Sequence, residues 1–213
     1  MTSTLETTAA VSPQQRVEAW LASFEAALAA ADIDRVVGMF AVDSFWRDLV
    51  AFTWNIKTVS GREQIADMLG ARLADTAPSG FRTREPATAD GDVTSAFISF
   101  ETALGQGVGH LRLRGDEAWT LLTTLQELKG HEERKGTTRV LGAVHGSDPD
   151  PRSWAEKRLE EESTLGRDVQ PYALVIGGGQ GGIALGARLR QLGVPAIIVD
   201  KHDRPGDQWR GRY

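Results

Sequence analysis

The sequence predicts two folds in series: an α+β domain whose helices cover one face of a sheet, and then the opening βαβ unit of an α/β domain. Three observations predict this. Helix-starting pairs at Ser12/Gln15 and Ser60/Glu63 introduce apolar stripes of helical period, and after Pro78 the pattern turns to long alternating strands. Glycine then becomes concentrated, with ten of the 23 glycines in the last 48 residues. Charge changes with it: residues 1–151 hold 14 basic and 21 acidic side chains, net −7, and residues 152–213 hold 10 and 8, net +2.

The first helix is expected where Ser12 and Gln15 cap each other, Pro13 takes the first helical position, and Val17, Trp20, Leu21, Phe24 and Leu28 recur at helical spacing. A second, short helix should start from Asp32 and place Val36, Val37 and Phe40 on one side. The third follows Ser60, with Ile65, Met68, Leu69 and Leu73 as its buried stripe. Strands are expected over Phe81–Ala87, Val93–Ala103, Val108–Arg114 and Ala118–Leu128. Turns at Asp90-Gly91-Asp92, Gly105-Gln106-Gly107 and Gly115-Asp116-Glu117 would make them an antiparallel meander. An earlier strand fits Ser44–Phe52, where Trp46, Asp48, Val50 and Phe52 share a face.

The segment Ser44-Phe45-Trp46-Arg47-Asp48-Leu49, followed by Thr53-Trp54 and Gly61-Arg62-Glu63-Gln64-Ile65, resembles the cone-shaped nuclear transport factor 2-like domains over residues 12–130. That resemblance implies an α+β cone with a pocket between helices and sheet. It also implies an accessory or homodimerisation module. Residues 1–11 are expected to be a disordered leader, and residues 131–170 a charged linker with a short solvated helix over Ser153–Leu165 that makes one apolar contact through Trp154.

The chemistry concentrates in residues 171–213. Tyr172-Ala173-Leu174-Val175-Ile176 is fit for a strand buried on both faces. Gly177-Gly178-Gly179-Gln180-Gly181-Gly182 follows and matches G-x-G-x-x-G. The three glycines of the pattern serve separate needs, since Gly177 permits the sharp turn, Gly179 the close approach of a pyrophosphate to the backbone, and Gly182 the packing of helix on strand. A helix over Gly181–Leu192 should end at Gly193, and the second strand Ala196–Val199 ends at Asp200. Asp200 lies 23 residues after Gly177. An acid about 20 residues on accepts hydrogen bonds from the adenosine ribose and repels a 2'-phosphate, which favours FAD or NAD over NADP at this site.

The tail Asp200-Lys201-His202-Asp203-Arg204-Pro205-Gly206-Asp207-Gln208-Trp209-Arg210-Gly211-Arg212-Tyr213 resembles the segment after the second strand in flavin-containing monooxygenases. By that resemblance Gly177, Gly179, Gln180 and Gly182 hold the pyrophosphate of FAD and Asp200 holds its ribose. Lys201, Gln208 and Trp209 flank the adenosine and the approach to the flavin. A nuclear transport factor 2-like segment joined to such a motif is similar to flavoprotein monooxygenases that carry this fusion. They use NADPH to reduce FAD and insert one oxygen atom from O2 into an organic small-molecule substrate. One βαβ unit gives two parallel strands where a doubly wound sheet needs several, so the sequence predicts a truncated, incomplete Rossmann unit. The NADPH site and the catalytic residues are expected outside this chain, which alone would be inactive.

Other readings give way on particular residues. Trp46, Trp54, Phe97, Phe100 and Trp119 fit a core better than a ligand pocket. Alternating with Leu111 and Leu113, His110 fits a solvated sheet face, and Asp48 beside Arg47 fits an ion pair rather than an acid–base group. Glu160-Glu161-Glu162 reads as a solvated helix face. A NAD-dependent dehydrogenase shares the glycine pattern but not Gly206–Tyr213. The remaining alternative is a small-molecule-binding or isomerase cone with a vestigial tail. Four scattered histidines and no cysteine predict no metal site, and a cytoplasmic location suits a chain without cysteine. A net charge of −5 speaks against nucleic acid, and no apolar run is long enough to span a membrane.

Overall fold

A computed structural model describes residues 11–139 and 150–212 of the 213. The chain forms two compact units, residues 1–132 and 133–213. The leader expected over residues 1–11 lies, apart from Val11, outside the described residues.

In the first unit, α1 (Pro13–Ala29) starts on the expected capping box: Ser12 Oγ accepts from the Gln15 amide at 3.2 Å, and Gln15 Oε1 accepts from the Ser12 amide at 3.0 Å. Asp32 caps α2 (Ile33–Gly38) through the Arg35 amide at 3.0 Å. The third helix, α3 (Gly61–Thr76), follows Ser60, but the Ser60 hydroxyl makes no cap bond. Gln64, not Glu63, reaches back to the Ser60 amide at 3.0 Å. The buried side chains of α1 and α3 are the expected stripes.

The strands are β1 (Phe40–Leu49), β2 (Ile56–Ser60), β3 (Ser79–Thr83), β4 (Thr88–Asp90), β5 (Val93–Glu101), β6 (Gly105–Arg114) and β7 (Glu117–Leu128). They form one sheet in the order β2-β1-β7-β6-β5-β3, with β4 also on β5. Only β5, β6 and β7 form the expected antiparallel meander; β1 lies parallel to β7, with Trp46 opposite Leu121. The expected Phe81–Ala87 strand ends early, at Thr83 of β3, and β4 starts only at Thr88. The early strand starts and stops before its expected bounds, and β2 has no counterpart among the expected strands.

Gly105-Gln106-Gly107, expected as a turn, lies inside β6, and the chain reverses at residues 102–104. The reason is steric. A Cβ on Gly107 would stand 2.2 Å from the Phe100 ring, so glycine here makes room for a buried aromatic rather than for a bend. Gly107→Ala should cost about 2 kcal/mol through overpacking, read as a lower thermal midpoint of the first unit. An unchanged midpoint would mean that the ring gives way freely.

Aromatic rings dominate the core. Trp20 stacks on Phe24 at 4.6 Å, Phe40 on Trp46 at 5.8 Å and Phe81 on Phe100 at 5.3 Å. Trp46 and Phe100 are core as expected, whereas Trp54 and Phe97 are 56% and 52% exposed. Trp119 sits under the guanidinium groups of Arg112 and Arg114, at 4.5 and 3.7 Å.

The second unit contains α4 (Trp154–Thr164), β8 (Ala173–Ile176), α5 (Gln180–Gln191), β9 (Ala196–Val199) and the single turn α6 (Asp207–Arg210). A 3₁₀ turn over Gly136–Thr138 precedes them. Glu133 and Glu161 reach Arg188 and Arg190 of α5 at 2.7 and 3.5 Å, which ties the expected linker region to this unit. Trp154 is 71% exposed and meets Arg158, not the apolar contact expected of it. No helix among the described residues is long and apolar enough to cross a membrane.

Candidate functional site

The site is built on β8-α5-β9. Strands β8 and β9 run parallel, from Ala173 opposite Ala196 to Ile176 opposite Val199, and the Gly177 amide extends the ladder by donating to Val199 O at 2.7 Å. Gly177 then turns the chain with φ of +105°, a conformation that favours glycine. Helix α5 starts with Gly179 as N-cap, so the amides of Gln180, Gly181 and Gly182 occupy the first turn and have no acceptor within the helix.

The three fingerprint glycines fall in this bend. A Cβ on Gly182 would stand 1.8 Å from Gly177 O and 3.5 Å from Val175 Cγ1 of β8, so the missing side chain lets the start of the helix lie against the end of that strand. Gly186 adds a second close helix–strand approach, to β9, where a Cβ would meet Ile198 Cδ1 at 2.4 Å. Nothing in the G-x-G-x-x-G pattern marks Gly186, which stands one helical turn later. At Gly179 the direction of an added Cβ leads to the Gln208 side-chain amide at 3.1 Å.

Asp200 ends β9 at the mouth of this turn. Its Oδ2 accepts from the Gly178 amide at 2.6 Å, and its Oδ1 from the His202 amide at 2.9 Å, with His202 Nδ1 at 2.5 Å from the same oxygen. These donors hold the carboxyl down at about 2: the His202 amide contributes most, then the Gly178 amide, then the His202 ring. A depressed carboxyl stabilises the turn at pH values above its unfolded value near 4, and that contribution is lost as pH falls toward about 2.

Lys201, Gln208 and Trp209 come together with Gln180 and His202 around a cleft of about 660 Å³. Trp209 is 47% exposed. The one-turn helix carrying Gln208 and Trp209 is held by Asp207, which accepts from Arg204 Nε at 2.6 Å and from Arg210 at 2.9 Å. The structure thus groups all eight sequence-derived positions about one bend. Sequence reasoning missed His202, although an acid followed two residues later by a potential donor is a local hydrogen-bonding pattern that could have flagged it.

These residues fit an adenine dinucleotide. A side chain at Gly179 would crowd the face beside Gln208, first-turn amides stand ready for a diphosphate, and a carboxylate waits at the neighbouring strand tip.

The acid–base candidates of the first unit do not converge. Asp48 is fully buried and accepts from four donors: the Phe52 amide, the Thr53 amide, Thr53 Oγ1 and Thr123 Oγ1, the last at 2.7 Å. Arg47 turns away to Thr58, so the expected Arg47–Asp48 ion pair is absent. Thr123, on the side of Asp48, is paired with Gly109; His110 is paired with Leu122 and stands on the other face against Phe97, at 4.7 Å. Burial, and then Arg112, push His110 below its usual value. No group of three or more potential ligands for a metal occurs among the described residues.

No protein-family model matches the chain, and no curated protein does. Solved structures do. An NTF-2 like protein of unknown function from Burkholderia xenovorans is 14% identical, with 54% of this chain and 86% of that one covered and a TM-score of 0.39. A ketosteroid isomerase-like protein from Erwinia carotovora is 11% identical, with 54% and 96% covered and a TM-score of 0.45. An NTF2-like protein with a cystatin-like fold from Novosphingobium aromaticivorans is 17% identical, with 54% and 82% covered and a TM-score of 0.40. Over about half its length the chain is similar to proteins of this kind, and the likeness is one of fold.

Proposed function

We propose that the second unit binds the adenosine diphosphate part of FAD, and that the chain is the N-terminal portion of a flavin- and NADPH-dependent monooxygenase acting on an organic small molecule. The observation that carries the nucleotide reading is the 2.6 Å bond between the Gly178 amide and the Asp200 carboxylate, which joins the glycine turn to the tip of the next parallel strand. In this reading the first-turn amides of α5 bind the diphosphate, Asp200 orients the ribose through its hydroxyls, and Lys201 adds positive charge. Gln208 and Trp209 form the wall toward the isoalloxazine ring. Bound flavin would supply the redox chemistry. The first unit serves as an accessory or homodimerisation module, and a reducing, cytoplasmic compartment suits a chain without cysteine.

The test is a titration of the labelled chain with FAD and with ADP, followed by amide shifts. Shifts should gather at residues 178–182, 201, 208 and 209, and Gly179→Leu should remove them. Shifts confined to the first unit, or none, would overturn the reading.

A second reading places the function in the first unit, as a small-molecule-binding or isomerase module. The names of the similar structures, one of them ketosteroid isomerase-like, go with this reading and not with a flavin. Against it stands Asp48, whose oxygens are all engaged by neutral donors in the core. Saturable binding of an apolar ligand that quenches the buried Trp46 would favour this second reading.

A further inference from the structure

We propose that residues 204–212 form a lid on the glycine turn, and that the Gln208 carboxamide holds the place of a diphosphate at Gly179 until a nucleotide displaces it. This rests on the dinucleotide reading above and concerns how that site opens. The missing side chain of Gly179 points at Gln208. Nε2 and Oε1 of the carboxamide both stand 3.1 Å from where a Cβ would be, and Cδ stands at 3.5 Å, so the three nearest atoms all belong to this one residue. In a G-x-G-x-x-G turn the second glycine is bare so that a pyrophosphate can come close to the backbone. Here the chain's own glutamine fills that opening.

The contact yields easily. A carboxamide can donate twice and accept through its oxygen, yet among the described residues that of Gln208 has no hydrogen-bond partner. Packing alone keeps it at Gly179. The segment that carries it is tied to itself: the Arg210 amide donates to Gly206 O at 3.2 Å, and Arg210 Nη1 donates to Pro205 O at 3.1 Å. Asp207 accepts from Arg204 at 2.6 Å and from Arg210 at 2.9 Å. Among the described residues every hydrogen bond of residues 204–212 closes within the segment. His202, just before it, is fixed by its amide on Asp200, so freedom to swing begins at Asp203. Residues 204–212 can therefore leave the turn as one piece, without breaking a bond to β8, α5 or β9.

Only the open form admits a diphosphate, so the apparent affinity is the intrinsic one reduced by the fraction open. An open form populated at about 10% weakens binding about tenfold. The wall that Gln208 and Trp209 make toward the flavin in the dinucleotide reading is then the position of this segment after it has swung back.

The experiment measures the ADP affinity of the full chain, of Gln208→Ala and of Gln208→Leu by calorimetry, with amide resonances followed in the natural chain. Alanine removes the plug and should bind ADP about tenfold more tightly. Leucine keeps the bulk without the polar atoms and should bind no more tightly than the natural chain. ADP should also shift the amides of Gly206, Trp209 and Gly211 together, as the segment moves. Weaker binding by both variants would make Gln208 a direct ligand of the diphosphate and overturn the lid. Equal affinities in all three proteins, or a gain shared by Gln208→Leu, overturn it as well and leave the dinucleotide site standing. Failure of all three to bind ADP at millimolar concentration overturns the dinucleotide reading, and this inference with it.

Discussion

Asp48→Ala is expected to destabilise the first unit by about 3 kcal/mol, because it strands several buried donors at once rather than deleting a single contact. The carboxylate bridges two parts of the fold. Its bonds to the Phe52 and Thr53 amides fix the loop after β1, and its bond to Thr123 Oγ1 crosses to β7. Thr123 in turn accepts from Trp46 Nε1 at 2.9 Å, so the chain Trp46–Thr123–Asp48 locks the largest buried side chain in place. That loop also holds Val50 and Trp54 at φ of +57° and +54°, which residues with a Cβ adopt only when surroundings impose it. Thermal unfolding followed by tryptophan fluorescence should show a fall of the order of 10 °C for Asp48→Ala. Thr123→Val should lose less, about 1 kcal/mol, since the Asp48 carboxylate keeps its other donors. A change below about 1 kcal/mol for Asp48→Ala would show that the carboxylate is not the clamp.

Gly182→Ala should open the glycine turn and cut nucleotide affinity at least tenfold, an effect confined to the second unit. The added Cβ would stand 1.8 Å from Gly177 O, which is backbone and cannot rotate away as a side chain tip can. Relief requires the strand–helix bend to widen, and widening draws the Gly178 amide from Asp200. Gly181→Ala is the matched control. It lies one residue earlier in the same first turn, and a Cβ there meets nothing within 4 Å. Alanine at that position should be neutral or stabilising by about 0.5 kcal/mol, because it restricts the unfolded chain more than glycine does. The measurement is ADP affinity together with the amide resonances of Gly178 and His202. Similar affinities for the two variants would mean that the turn tolerates the wider geometry and that Gly182 is not a steric requirement.

Local and periodic features were legible in the sequence. The capping box at Ser12, the stripes of α1 and α3, the glycine turn at Gly177 and the offset of Asp200 depend on residues a few positions apart or on one repeating unit. Chain order alone is enough to expose them. The misreadings share a different cause. Gly105-Gln106-Gly107 has the composition of a turn, yet its glycines answer to the Phe100 ring across the sheet. Asp48 lies beside Arg47 in sequence, yet the pleat sends them to opposite faces, and the carboxylate finds Thr123, 75 residues away. At the start of α3 it is Gln64 rather than Glu63 that accepts from the Ser60 amide, one position beyond the spacing of the capping box.

What the sequence determined by itself was therefore the α+β class of the first unit and the strand–glycine turn–helix–strand order of the second, since periodicity and turn chemistry are properties of short stretches of chain. Only the tertiary structure decided that β1 runs parallel to β7, that Asp48 is a buried clamp facing away from His110, and that the His202 amide donates to Asp200. Those outcomes depend on which strands become neighbours and on which side of a pleat a side chain emerges, and neither is fixed until the whole core closes.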